Sequence, residues 1–325
     1  MSVAGAERYE VGAELGRGGF AVVYAAKDTA TGASVAIKRI SPSEEAGVMT
    51  RAEVDHEVRV MRHLAAEASH DHICQILDVV ERPATGEVDV VLEALQGGNA
   101  MERMAHGDHP YTEKDAAALV RQMVEGLGEM HRVGLVHRDV KPDNVMYVEA
   151  GGGGEQGGAA KLLDFGLSRF VGEEVHDSVC GTPEFCAPEV LEDAEYPPAV
   201  DMWAVGVTAY VLLSGFIPFS NDTQVCCGTY DFDDEEWLAV SDAAKDFIRK
   251  LLVRSTKNRL SAAQALEHKW LGPSTPRRHV SFKVRSRVQG LLGDMRLRRA
   301  VRGVMFLNRL KNFTQHPEQA DASGA

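Results

Sequence analysis

Cysteine is scarce, five in 325 residues, with neither the density of a disulfide scaffold nor the spacing of a zinc site. Reduced thiols, and with them a cytoplasmic location, are the expectation. No apolar run follows a basic start at the N-terminus, and no stretch reaches the length that spans a bilayer. The longest apolar segment, Ala204 to Leu213, is too short for that and reads as a buried helix. Signatures for myristoylation and prenylation are missing, so no lipid anchor is expected. The twelve histidines show no metal-ligand spacing. What remains is ordinary: 44% apolar and 26% charged residues, enough for a sizeable core in a chain of this length.

Against that plain background four motifs stand out. Gly16-Arg17-Gly18-Gly19-Phe20-Ala21-Val22-Val23 is glycine-rich, and missing side chains let backbone N–H groups approach phosphate oxygens. Alone it reads equally well as an ordinary turn. Val35-Ala36-Ile37-Lys38 lies in an alternating strand, Ser34 to Ile40, which puts Val35 and Ile37 on one face and Ala36 and Lys38 on the other. A buried ammonium needs a counter-charge. Glu57, in the amphipathic stretch Arg51 to Leu64, lies nineteen residues on, and Glu53, one helical turn away, is the alternative. His137-Arg138-Asp139-Val140-Lys141-Pro142-Asp143-Asn144 and Asp164-Phe165-Gly166 then supply carboxylate and amide oxygens, the hard ligands a divalent cation prefers.

In this order, from about Tyr9 to Leu271, the motifs resemble the signature set of protein kinases, and the ordered set is far more specific than any one of them. The resemblance implies an α+β, bilobal fold: an N-terminal extension at 1–8, a β-rich N-lobe at about 9–92, a hinge at 93–95 and a mainly helical C-lobe at about 96–271. It implies ATP and Mg²⁺ as cofactors. Leu15, Gly16, Gly18, Val23, Ala36, Lys38, Leu92, Glu93, Leu95 and Met146 would hold the nucleotide, with Leu92 as gate and backbone groups of the hinge bonding the base. Glu57 would pair with Lys38. Asp139 would accept the proton of the substrate hydroxyl, Lys141 would neutralise charge on the transferring phosphoryl group, and Asn144 and Asp164 would hold the metal ions. His137 would be structural, stacked on Phe165 and tied to Asp201. Glu189 and Arg259 would form a buried ion pair. Two departures are visible: Ala21 replaces a loop glycine, and Asn99 stands where basophilic relatives carry glutamate. The segment Ser220 to Asp231 is also short, so the helix expected there is truncated.

The stretch Ser168 to Glu189 resembles an activation segment. Ser178 holds the position of an activating phosphate, which Arg138 would receive, and Thr182 with Lys141 marks serine/threonine acceptors. Thr112-Glu113-Lys114-Asp115 and Ser261-Ala262-Ala263-Gln264 read as helix-opening capping boxes. The glycine-rich 151–158 reads as a surface loop between two short strands.

Charge is unevenly spread. The chain carries −13 overall, yet residues 277–311 hold eleven Lys or Arg against the single acid Asp294. Leu297, Val301, Val304 and Leu310 fall near one helical face between arginines, the pattern of a calmodulin target; a docked helix, a membrane-surface helix and a nucleic-acid patch are the alternatives. With this tail at 272–313, and with 201–207 and 244–252, the chain is similar to the calcium/calmodulin-dependent kinases, particularly the death-associated branch. That resemblance implies protein substrates and calmodulin as partners, with no nucleic acid and no membrane span. Ser281, three residues after Arg278, would be a self-phosphorylation site, and 314–325 a disordered end. The rival reading is a pseudokinase scaffold; the presence of Lys38, Asp139, Asn144 and Asp164 argues against it.

Overall fold

The structure, a computed structural model, describes residues 8–18, 21–43, 49–68, 70–106, 111–149, 158–173, 182–192 and 196–291. Ser178, Leu297, Val301, Val304 and Leu310 lie outside these residues, as does most of the glycine-rich insertion.

Strands β1 (Tyr9–Arg17), β2 (Ala21–Asp28), β3 (Ser34–Ile40), β4 (Ile76–Arg82) and β5 (Glu87–Glu93) form one antiparallel sheet in the order β1-β2-β3-β5-β4. Buried and more exposed side chains alternate along most of β3, as expected for a pleated strand. Ile40, Val88 and Val90 face helix α1 (Arg51–Glu67), where Val54, Val58, Met61 and Leu64 are buried, while Tyr9, Val35, Ile37, Val80 and Val91 pack on the other face.

The second lobe is helical: α2 (Ala100–His106), α3 (Glu113–Arg132), α4 (Pro188–Leu191), α5 (Ala199–Ser214), α6 (Asp222–Cys227), α7 (Asp242–Leu251) and α8 (Ala262–Leu266). Short antiparallel pairs join β6 (Leu135–Val136) to β9 (Arg169–Phe170) and β7 (Val145–Tyr147) to β8 (Ala160–Leu162), the latter pair flanking the insertion. Both capping boxes form: Thr112 with Asp115 opens α3, and Ser261 with Gln264 opens α8. Helix α5 contains the apolar run and has buried residues on all sides, as a central helix must. At Gly206 a Cβ would come within 2.9 Å of Leu251 and Leu252, so the absence of a side chain permits the close approach of α5 and α7. Helix α6 has only six residues, in line with the short segment that contains it. Among the described residues no helix is long and apolar enough to cross a membrane.

After the lobe the chain continues along its base. Val280 N–H donates to the Tyr111 carbonyl at 2.8 Å, and residues 282–291 are helical. Val284 and Val288 are buried there, Arg287 pairs with Glu236 at 3.0 Å, and Gln289 donates to the Ala105 carbonyl at the end of α2 at 2.9 Å. This packing face is missed by the sequence pattern, which places the apolar stripe at 297–310.

Candidate active site

The alternation of β3 sends Val35 and Ile37 into the core and leaves Lys38 facing the cleft between the lobes. Its ammonium lies 2.6 Å from Glu57 Oε1 and 3.0 Å from Asp164 Oδ1. Burial alone would lower the Lys38 pKa, but the two carboxylates outweigh it and raise it above the usual lysine value. Asp164 moves the opposite way: the Lys38 charge holds its carboxyl below the ordinary range. The choice between the two glutamates of α1 is resolved by capping, because Glu53 accepts the Thr50 N–H at 2.6 Å and completes a box at the helix start. Glu57 is the partner of Lys38. On the outer side of α1, His56 bonds the Ser168 carbonyl at 2.8 Å and Arg59 pairs with Glu173 at 2.6 Å, which holds the helix against the start of the activation segment.

Below the cleft, Asp139 is 9% exposed and gathers donors. Lys141 Nζ reaches its Oδ2 at 2.6 Å, the Asn144 amide donates to the same oxygen at 2.9 Å and to the Asp139 carbonyl at 2.8 Å, and Thr182 donates to Oδ1 at 2.9 Å. Lys141 also donates to Thr182 at 2.6 Å. The direct Thr182 contact ties the activation segment to the site, a role motif reading does not reveal. With the Asn144 nitrogen committed to Asp139, its amide oxygen is the atom left for a cation. The half-exposed Asp164 side chain offers a second hard oxygen ligand. These hard oxygen donors would fit a divalent cation such as Mg²⁺. Among the described residues no group of three or more His, Cys, Asp or Glu could hold a metal ion.

Two residues of this constellation have positive φ, Arg138 at 70° and Asp164 at 62°, a conformation that costs a non-glycine residue on the order of 1 kcal/mol or more. Asp201, 1% exposed, holds the first of them. Its carboxylate accepts the Arg138 N–H and the His137 N–H, each at 2.9 Å, and His131 Nε2 lies 2.8 Å away. The expected tie between His137 and Asp201 therefore runs through the backbone. The ring of His137 instead bonds the Leu163 carbonyl at 3.0 Å and lies 5.4 Å from the Phe165 ring.

Burial alone would raise the Asp201 pKa, but the His131 contact, with His137, holds it below the usual value. A folded-state pKa below the unfolded one stabilises fully above about 3.9 and is lost as pH falls through the folded-state value. Urea midpoints measured between about pH 5 and 2 should fall more steeply for the wild type than for Asp201→Asn. Equal slopes would remove Asp201 as a source of acid sensitivity.

The apolar nucleotide-site candidates share the cleft. Ala36 is registered with Leu92, and Val23 with Lys38; Met146 bridges to Asn99. Leu15 is 62% exposed, and Val23, Ala36, Leu92, Leu95 and Met146 are all partly exposed. Gly16 pairs with Val23, and Gly18 N–H donates to the Ala21 carbonyl at 2.8 Å, which closes the described part of the hairpin. Asn99 acts locally, since its side chain accepts the Glu102 N–H at 2.8 Å and caps α2. Ser281 is exposed at the start of the basal helix, with its hydroxyl 3.4 Å from Val284 N. Glu189 and Arg259 pair at 2.6 and 3.0 Å.

Comparison with known proteins agrees with this geometry. Residues 9–271 match the description of a protein kinase domain. Calcium/calmodulin-dependent protein kinase type 1B of Rattus norvegicus is 35% identical over 323 residues, which cover 97% of this chain and 90% of the relative. The type IV enzyme of Homo sapiens is 35% identical over 311 residues, 93% of this chain and 62% of the relative. Among solved structures, the twitchin kinase region from C. elegans superposes with a TM-score of 0.77 at 31% identity, over 91% of this chain and 52% of that one. A catalytic constellation of this form, within a domain match and an identity of this extent, makes the chain a member of the protein kinase family.

Proposed function

We propose that the chain transfers the γ-phosphoryl group of ATP to serine or threonine hydroxyls of protein substrates. The observation that carries this reading is the convergence of Lys38, Glu57 and Asp164 from above with Asp139, Lys141, Asn144 and Thr182 from below on one cleft. Asp139 orients the acceptor hydroxyl and takes its proton, and Lys141 stands beside it to offset phosphoryl charge. Lys38, fixed by Glu57, binds the phosphates, and Asn144 with Asp164 would hold Mg²⁺. Mg²⁺ supplies charge neutralisation at the phosphate oxygens. Thr182, bonded to both Asp139 and Lys141, supports an aliphatic acceptor. With Asn99 committed to capping, strong selection for an upstream arginine is not expected.

Regulation belongs to the same reading. The names of the relatives support calmodulin as partner; the basic stretch beyond 291 as its target and the death-associated branch as a finer affinity rest on the sequence pattern alone. The basal helix bonds Ala105 at the end of α2, and the basic residues that follow it support a tail that occupies the cleft until calmodulin withdraws it. Arg138 Nε and Nη2 are buried and without a hydrogen-bond partner among the described residues, which supports phosphate on Ser178 as an ordering charge. Mass mapping after self-phosphorylation tests Ser178 and Ser281 together; neither site modified would refute both.

The deciding assay is radiolabel transfer from ATP to a basic peptide with a serine acceptor, with and without Ca²⁺-calmodulin. Transfer that rises severalfold with calmodulin is the expected result. No transfer at all would make the chain a scaffold. A cut after Gly272 would strip Val284 and Val288 from the core, at about 1.5–3 kcal/mol each, so the informative truncation follows residue 291. That truncation should raise basal activity and abolish calcium dependence; unchanged activity would count against tail control.

A further inference from the structure

Glu93, where β5 gives way to the hinge, has a side chain that the reaction does not use. Its Oε1 accepts the Gln75 N–H at 2.7 Å and the Lys161 ammonium at 2.7 Å, and its Oε2 takes the same ammonium at 2.9 Å. The Glu93 N–H donates in return to the Gln75 carbonyl at 3.1 Å. Both side chains are mostly covered, Lys161 at 13% exposure and Glu93 at 24%, so water and salt screen the pair far less than a surface pair. Lys161 lies on β8 directly opposite Met146, three residues before Asp164. One ammonium thus joins the hinge to β8, which pairs with the candidate base-contacting Met146 of β7 and leads into the candidate metal ligand. Charge-assisted bonds to both carboxylate oxygens fix direction as well as distance.

We propose that Lys161 is a positioning residue for the nucleotide: through the Glu93 carboxylate it sets the hinge backbone at a fixed separation from Met146 and Asp164, so that base and triphosphate are bound in one register. The inference rests on the nucleotide site proposed above. Lys161 touches no reacting atom, so its loss weakens nucleotide binding while leaving transfer from the bound complex intact. A hinge peptide displaced by about 1 Å loses aligned bonds to the base, an effect that reaches about 10²-fold when reacting groups are misplaced.

The test uses the full chain and the variants Lys161→Met, Lys161→Arg and Glu93→Gln, with ATP dissociation constants and steady-state rates measured in parallel. Lys161→Met is expected to raise the ATP dissociation constant and the ATP KM about tenfold, as loss of a charge-assisted bond implies. The same variant keeps kcat and the peptide KM within about twofold and narrows the preference for ATP over GTP, since the base is no longer held against a fixed backbone. Lys161→Arg, which keeps the charge, recovers most of the affinity. A merely structural role would reduce the folded fraction and kcat with ATP KM unchanged, and that pattern overturns the proposal. Should Lys161→Met not fold, Glu93→Gln carries the same expectation, and an unaltered ATP dissociation constant there overturns it. A wild-type chain that binds no ATP overturns the nucleotide reading itself. A wild type that binds ATP no better than a folded Lys161→Met overturns the positioning role alone.

Discussion

Asp139→Asn is expected to slow phosphoryl transfer by about 10²–10⁴-fold, the range that a positioned general base contributes, while ATP affinity stays within about threefold of wild type. The separation of effects follows from the geometry. Asp139 contacts Thr182, Lys141 and Asn144 beneath the cleft, whereas Lys38, Glu57 and Asp164 form the separate cluster proposed to face the phosphates. Asparagine keeps the shape, and with its one oxygen in the Oδ2 place Lys141 and Asn144 retain their acceptor. It cannot take a proton, and its amide nitrogen then lies in the Oδ1 place, where the Thr182 hydroxyl donated to the carboxylate. Single-turnover transfer to a serine peptide, beside direct nucleotide binding, reads both quantities. A variant that keeps transfer within tenfold of wild type would remove Asp139 from the chemistry.

The largest stability effect belongs to Arg259. All five of its N–H donors are used: on the Glu189 carboxylate at 2.6 and 3.0 Å, and on the carbonyls of Ala199, Val253 and Arg254 at 2.8, 3.0 and 3.4 Å. Its side chain has no exposed area, and it lies 5.1 Å over the Trp203 ring. Arg259→Met leaves a buried carboxylate and the carbonyls of Val253 and Arg254 without this donor, at a cost of about 3–5 kcal/mol for breaking such a pair. Urea unfolding measures it directly. Glu189→Leu combined with Arg259→Met should recover part of the loss, because removing both charges also removes their desolvation cost. A single-variant loss below about 1 kcal/mol would show that the pair is open to water.

Much of this was legible in the sequence. The strand at 34–40, the capping boxes at Thr112 and Ser261, the buried run of α5 and the brevity of α6 follow from periodicity, cap chemistry and segment length. These are local signals, and tertiary structure had no reason to override them. What the pattern left open needed distance. Glu53 and Glu57 share an amphipathic helix, and only the position of Thr50 assigns one to the cap and the other to Lys38. Asn99 reads as a lost specificity residue until its bond to the Glu102 N–H gives it a cap to make. Val284 and Val288 sit among basic residues, where their burial depends on a surface formed by α2, α5 and residues 235–240. Lys161 and His131 are unremarkable in sequence because their partners, Glu93 and Asp201, lie 68 and 70 residues away.

The seat of Asp201 in α5 has a mechanical consequence. Two consecutive amides of the catalytic loop end on a carboxylate rooted in the innermost helix, so the floor of the cleft is the fixed jaw of a vice. Widening the mouth for nucleotide exchange cannot come from that floor without prising apart the helical body. The travel falls to the moving jaw, the glycine hairpin and its sheet, whose edge strand β1 is exposed along nearly its whole length.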